Sequence, residues 1–163
     1  MTDSHEYLEV FLKPGDVYFA TRKTRIRTVL GSCVSLTVWH PLLKMGGMCH
    51  FMLPERIHEE TSPQADGRYA GEAMALLLAD MRQLKRDPGE FQVRLFGGAN
   101  MFPAIYYETE FDTIGARNVR AGRLLIAQYG MSAVSEDVAG TAYRHLVFDV
   151  WSGEVLLCAK PQK

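Results

Sequence analysis

The sequence predicts an α+β domain, mostly antiparallel sheet packed with two main helices. Short apolar runs rich in β-branched residues cluster at both ends of the chain. Two segments with helical periodicity lie between them. Strand-like runs follow one another without intervening helices, which argues against a doubly wound parallel sheet. A length of 163 residues fits one domain over 1–163, with residues 1–7 as a frayed polar tail.

The elements follow in order. Leu8 to Leu12 alternates apolar and charged residues, as a short strand does, and Pro14-Gly15-Asp16 is a turn signal. Val17 to Ala20 reads as a second strand. The basic stretch Arg22 to Arg27 reads as a solvated loop or edge. Val34, Leu36 and Val38 share one face of a strand whose Ser35/Thr37/Trp39 face is expected to be half-exposed. His40-Pro41 closes it. Gly46-Gly47 opens the run Met48 to Leu53, stopped by Pro54, and these two runs are expected to be antiparallel neighbours. Residues 55–68 are polar and form a loop, which with Trp39 is placed to frame a substrate groove. Ala70, Ala73, Met74, Leu77, Leu78, Met81 and Leu84 recur at helical spacing, and Asp87-Pro88-Gly89 ends that helix. Phe91 to Phe96 is a strand. A second helix over Ile114 to Gln128 stops at Gly130, with Gly115 and Gly122 weakening its pattern. Two or three strands close the chain, including a hairpin turning at Ser152-Gly153.

Composition excludes several function classes. Eighteen Lys and Arg against 19 Asp and Glu leave a net charge of -1, which argues against nucleic acid or an anionic membrane as partner. Cys33, Cys49 and Cys158 are three in number and far apart. They show neither a disulfide framework nor zinc-ligand spacing, so no cofactor or metal is expected. No basic region leads into an apolar run at Met1, and no apolar stretch is long enough to span a bilayer. A cytoplasmic protein, not inserted in a membrane, is expected.

Chemistry points to Cys33. It follows Gly31 and Ser32, where a tight turn can leave backbone N–H groups beside the thiol to hold an oxyanion. A nucleophilic thiol needs a neighbour that depresses its pKa, usually histidine. His50, inside an apolar run, must lose water for a structural hydrogen bond or a catalytic partner. It comes near Cys33 if the two runs pair. Thr28 or a backbone carbonyl is positioned to take the imidazole Nδ1–H. Each residue also has an ordinary reading: a small core hydrophobe, a satisfied buried histidine, a β-branched strand residue. Cys49 and Cys158 read as core. Gly97-Gly98-Ala99-Asn100 lacks a phosphate-loop pattern, so its glycines are expected to allow close backbone approach or line a cleft.

Taken together, Leu30-Gly31-Ser32-Cys33-Val34, Gly46 to Pro54 with its His50-x-Met52-Leu53-Pro54, Leu95 to Met101, and Ile114-Gly115-Ala116-Arg117-Asn118 resemble the chemoreceptor glutamine deamidase family CheD. The resemblance runs from about Val10 to Lys160. It implies an α/β sandwich similar to deamidase toxins and hydrolysis of receptor glutamines to glutamate. It also implies Cys33 as nucleophile, His50 as base and acid, and Thr28 as the third group; the oxyanion site is expected at the Gly31-Ser32 turn on the turn's own geometry. Methyl-accepting chemotaxis receptors are the implied partners, with a CheC-type CheY phosphatase as a further one. The competing readings are a non-catalytic adaptor for such a phosphatase or receptor, and a hydrolase of receptor esters. Ala139 and Tyr143 stand where members usually carry glycine.

Overall fold

A computed structural model describes residues 6–56, 64–107, 109 and 112–162. The loop expected over 55–68 therefore lies partly outside the described residues, as do residues 1–5 of the expected tail. Tyr7 is described, and its ring packs on Trp151 with centroids 5.4 Å apart.

Among the described residues, nine strands and two α-helices form three layers. The strands are β1 Leu8–Phe11, β2 Val17–Ala20, β3 Thr24–Leu30, β4 Val34–His40, β5 Met45–Cys49, β6 Gln92–Gly97, β7 Ser132–Val138, β8 Tyr143–Asp149 and β9 Glu154–Lys160. The helices are α1 Ala70–Gln83 and α2 Ile114–Gln128. One sheet runs β1-β3-β8-β9 and the other β2-β5-β4-β6-β7. Only β1–β3 and β6–β7 pair in parallel among the described residues, so the α+β, mostly antiparallel expectation stands.

Side-chain alternation sets the layers. Val34, Leu36, Val38, Cys49 and Phe51 pack with Met74, Leu77, Met81, Val119 and Ile126, between the five-stranded sheet and the helices. Ile26, Leu30, Met48, Phe96, Leu146 and Phe148 form a second core between the sheets, with Cys33 and Trp39 packed against it. Both faces of β4 are thereby covered, since strands alternate sides. Ser35 and Thr37, expected half-exposed, are buried beneath the other sheet. Trp39 is half-buried, its Nε1–H donating to the Val150 carbonyl at 2.7 Å, and the groove expected between it and the 55–68 loop falls partly outside the described residues.

Two other expectations are corrected. The basic stretch is no solvated edge: β3 lies between β1 and β8. Thr24, Ile26, Thr28 and Leu30 point inward while Arg25 and Arg27 point out. Arg25 pairs with Asp149 at 2.7 Å and lies over the Tyr7 ring, so its charge is met at the surface. Cys158 is exposed rather than core, on the outward face of the edge strand β9.

The two helices match their expected spans, with α1 ending one residue short of Leu84. The glycines that break the pattern of α2 are there for contact. A Cβ on Gly115 would lie 2.3 Å from the Gly98 carbonyl oxygen, and one on Gly97, at φ +108°, 2.2 Å from that of Cys33. Helix and loop can touch at backbone distance only without side chains.

Candidate active site

The turn after β3 and the end of β5 meet at one end of the layer between the sheets. Thr28 and Leu30 sit on β3, Gly31-Ser32-Cys33 turn the chain, and β4 begins at Val34. Val34 and Phe51 exchange both backbone hydrogen bonds, each 3.0 Å, an isolated antiparallel bridge. The β4–β5 register of Thr37 opposite Met48 is the same at Val34 and Phe51. Register therefore puts Ser35 opposite His50 and Cys33 diagonal to it on the same face, within reach of side chains. The expected antiparallel pairing is present, but β5 starts at Met45 and ends at Cys49, so His50 lies just past the strand.

His50 is almost fully buried, 2% exposed. Its N–H donates to the Asp16 carbonyl at 3.1 Å, and its carbonyl accepts from Gly15 N–H at 2.7 Å. Its Nδ1 lies 2.7 Å from Thr28 Oγ1, and the Thr28 hydroxyl donates to the Leu12 carbonyl at 2.8 Å. A hydroxyl has one hydrogen. Thr28 has given it to Leu12, so its oxygen accepts from His50 Nδ1–H, and the lone pair of the neutral ring falls on Nε2. This chain spans both sheets and fixes ring and tautomer together. Nε2 is buried and has no partner among the described residues. Burial lowers the His50 pKa to about 4, with nearby Asp16 opposing.

Cys33 is half-buried. Burial pushes its thiol up, and its own backbone N–H pulls the other way. The depressed thiol pKa expected from a histidine neighbour is not what these surroundings give. At neutral pH the site holds a neutral thiol and a neutral imidazole, an arrangement for general-base attack rather than a resting ion pair. The N–H groups of Ser32 and Cys33 are spent on no backbone carbonyl among the described residues, and that of Cys33 faces its own sulfur. Cys49 is wholly buried, and burial drives its thiol to about 12.

Gly97 and Gly98 do what was expected of them. Gly98 N–H donates to the Cys33 carbonyl at 2.9 Å, and Gly98 helps line a pocket of about 510 Å³ with Asn100, Thr113, Arg120, Arg123 and Ala139. Cys33 and His50 do not line it; it lies on the α2 side of the same loop. Ala139 holds φ +69°, the left-handed conformation that favours glycine, which accounts for the glycine usual there.

Three features have no place among the site residues expected from the sequence. The Leu12–Asp16 turn holds both Thr28 and His50. Ser35, opposite His50, carries a buried hydroxyl without a partner among the described residues. Asn118, wholly buried on α2, donates from Nδ2 to the carbonyls of Ser32 at 3.0 Å and Met52 at 2.8 Å. The available signal was a polar residue amid Gly115, Val119, Gly122 and Ile126 on the apolar face of a helix.

A family model described as CheD chemotactic sensory transduction matches residues 52–159. Proteins named probable chemoreceptor glutamine deamidase CheD are similar over nearly the whole chain. That of Pseudomonas fluorescens (strain SBW25) is 44% identical, covering 94% of this chain and 85% of its own. That of Pseudomonas savastanoi pv. phaseolicola (strain 1448A / Race 6) is 43% identical, covering 95% and 86%. One of Dechloromonas aromatica (strain RCB), named CheD 3, is 48% identical, covering 96% and 90%. The family-model match begins after Thr28, Cys33 and His50, but spans of this length take those residues in. The chain belongs to the CheD family.

Proposed function

We propose that this protein hydrolyses glutamine side chains of chemotaxis receptors to glutamate, with Cys33 as nucleophile and His50 as base and acid. The relatives' names support the substrate class. The observation that carries the chemistry is the Leu12–Thr28–His50 hydrogen-bond chain. It spends Nδ1–H and leaves Nε2 bare in the layer where Cys33 packs.

As the Cys33 sulfur attacks the carboxamide carbon, its proton passes to His50 Nε2. The carbonyl oxygen becomes an oxyanion that takes hydrogen bonds from the N–H groups of Ser32 and Cys33. Collapse of the adduct breaks the C–N bond. The proton on Nε2 goes to the departing nitrogen, which leaves as ammonia. Water then gives a proton to Nε2 and attacks the thioester. The C–S bond breaks, the sulfur recovers its proton, and glutamate is released. Thr28 holds the ring in one tautomer throughout and stabilises the imidazolium through its oxygen.

Phe102, Ile105 and Tyr106 are exposed on the turn following Met101, whose side chain would touch a Cβ at Gly31. An apolar protein surface beside the nucleophile suits a macromolecular substrate better than a small free amide. The same surface is open to a CheC-type partner. Incubation with the cytoplasmic fragment of a chemoreceptor, followed by peptide mass spectrometry, is the test. Conversion of glutamine to glutamate is expected, lost in His50→Ala. Loss of methyl ester with glutamines untouched would favour the esterase reading, and an unchanged receptor the adaptor.

A further inference from the structure

We propose that Asn118 is a positioning residue for this reaction, clamping the Cys33 turn to the segment that follows His50. The proposal rests on the cysteine–histidine reading above. Asn118 has two amide hydrogens, and both are spent on carbonyls: Ser32 on one segment, Met52 on the other. The orientation is unambiguous, because turning the amide over would set Oδ1 against two other acceptors. Oδ1 itself is buried without a partner among the described residues. An asparagine that leaves an acceptor unsatisfied on a packed helix face costs stability; what it provides is the tie between the two segments.

The geometry says what that tie controls. The Ser32 carbonyl belongs to the same planar peptide as the Cys33 N–H. Holding the oxygen on Asn118 aims that N–H to the opposite side and fixes the Cα from which the sulfur projects. The next peptide is held too, since the Cys33 carbonyl accepts from Gly98 N–H at 2.9 Å. On the other segment, the Met52 carbonyl lies one residue past the Val34–Phe51 bridge and two past His50. Asn118 thus closes a frame around the Val34–Phe51 bridge that joins the two segments at that point. Without it, the direct tie between the two segments among the described residues is the Val34–Phe51 pair, while Gly98 and Asp16 hold each segment only to its own neighbours, and sulfur, oxyanion donor and imidazole drift apart. Misplacement by about 1 Å costs on the order of 100-fold in rate.

The test compares Asn118→Leu and Asn118→Ser with wild type in a Cys158→Ser background, which removes the exposed thiol. Ile126→Val and Ile126→Ala, on the same helix but away from the site, bracket the loss of melting temperature. Ammonia release from a chemoreceptor cytoplasmic fragment gives kcat and KM, and iodoacetamide gives the alkylation rate of Cys33 against pH. The expected result for Asn118→Leu is a kcat about 100-fold lower with KM within about twofold, and a displaced alkylation profile. Ile126 variants of equal melting temperature stay within about threefold of wild type. Equal losses in the two sets, wild-type kcat in Asn118→Leu, or failure of both Asn118 variants to fold would overturn the proposal. Cys33→Ala run alongside separates the two ideas: deamidation surviving there defeats the reading of the site itself.

Discussion

At the scale of single residues, hydrogen accounting decides most questions. Thr28→Val keeps the shape of the side chain and removes the acceptor for His50 Nδ1–H. That donor is then buried unpaired and the ring is free to change tautomer. Deamidation should fall about 10- to 100-fold, while Thr28→Ser should retain most of it; equal activity in the two variants would remove the threonine from the mechanism. Ser35 offers the opposite sign. Its hydroxyl is buried and unsatisfied among the described residues, so Ser35→Ala should raise unfolding free energy by about 1 kcal/mol in urea titration; a loss of stability would mean the hydroxyl has a partner. Ala139 at φ +69° carries a strain of about 1–2 kcal/mol, partly offset because glycine loses more chain entropy, about 0.5–1 kcal/mol. Ala139→Gly should therefore stabilise by up to about 1 kcal/mol. Cys33 after a Gly-Ser turn and His50 inside an apolar run stand out as odd residues for their place, whereas Thr28 reads as an ordinary β-branched strand residue and is singled out only as one acceptor in reach of Nδ1–H. Asn118 does not stand out: its role lies in carbonyls far away in sequence, and backbone carbonyls leave no mark in a string of side chains.

At the scale of elements, amphipathic helices and the terminal hairpin could be read directly, because one face of each is apolar and the other polar. The failures share a cause. β3 hid behind four basic residues from Arg22 to Arg27, where alternation of buried Thr24, Ile26 and Thr28 was the better guide. β4 hid its second buried face because Ser35 and Thr37 look solvent-facing, though a second sheet covers them. Cys158 was misjudged from the apolar run around it, since an edge strand can expose either parity. In α2, glycines that weaken helix propensity mark the closest packing. Gly115→Ala tests this: propensity alone would add about 1 kcal/mol, whereas a Cβ 2.3 Å from the Gly98 oxygen must push the helix off the loop. The expected outcome is a lower melting temperature and weaker deamidation, and a stabilised, fully active variant would show that the contact yields without cost.

At the scale of the whole molecule, the site is built where two sheets close on each other, and stability and chemistry share one titration. His50 in the fold has a pKa of about 4 against an ordinary 6.5, because burial disfavours its charged form. Between those two values the unfolded chain binds a proton that the folded chain does not. Stability is therefore fullest above pH 6.5 and is lost as pH falls toward 4, by about 3 kcal/mol. Urea titrations of wild type and His50→Asn across this range should differ by that slope; parallel curves would mean His50 is not held neutral by the fold. Kinetics carry the same sign. The neutral imidazole persists well below pH 6.5, so kcat/KM should keep its acid limb near the lower value.

The central claim is that the Cys33 sulfur breaks the glutamine amide bond. Ammonia release from a chemoreceptor cytoplasmic fragment by Cys33→Ala, with circular dichroism and melting temperature matching wild type, tests it most directly. The sulfur-based mechanism predicts that release falls to the background of the fragment alone. Release by a folded Cys33→Ala within about tenfold of wild type would contradict it, since removal of a covalent nucleophile costs far more than that.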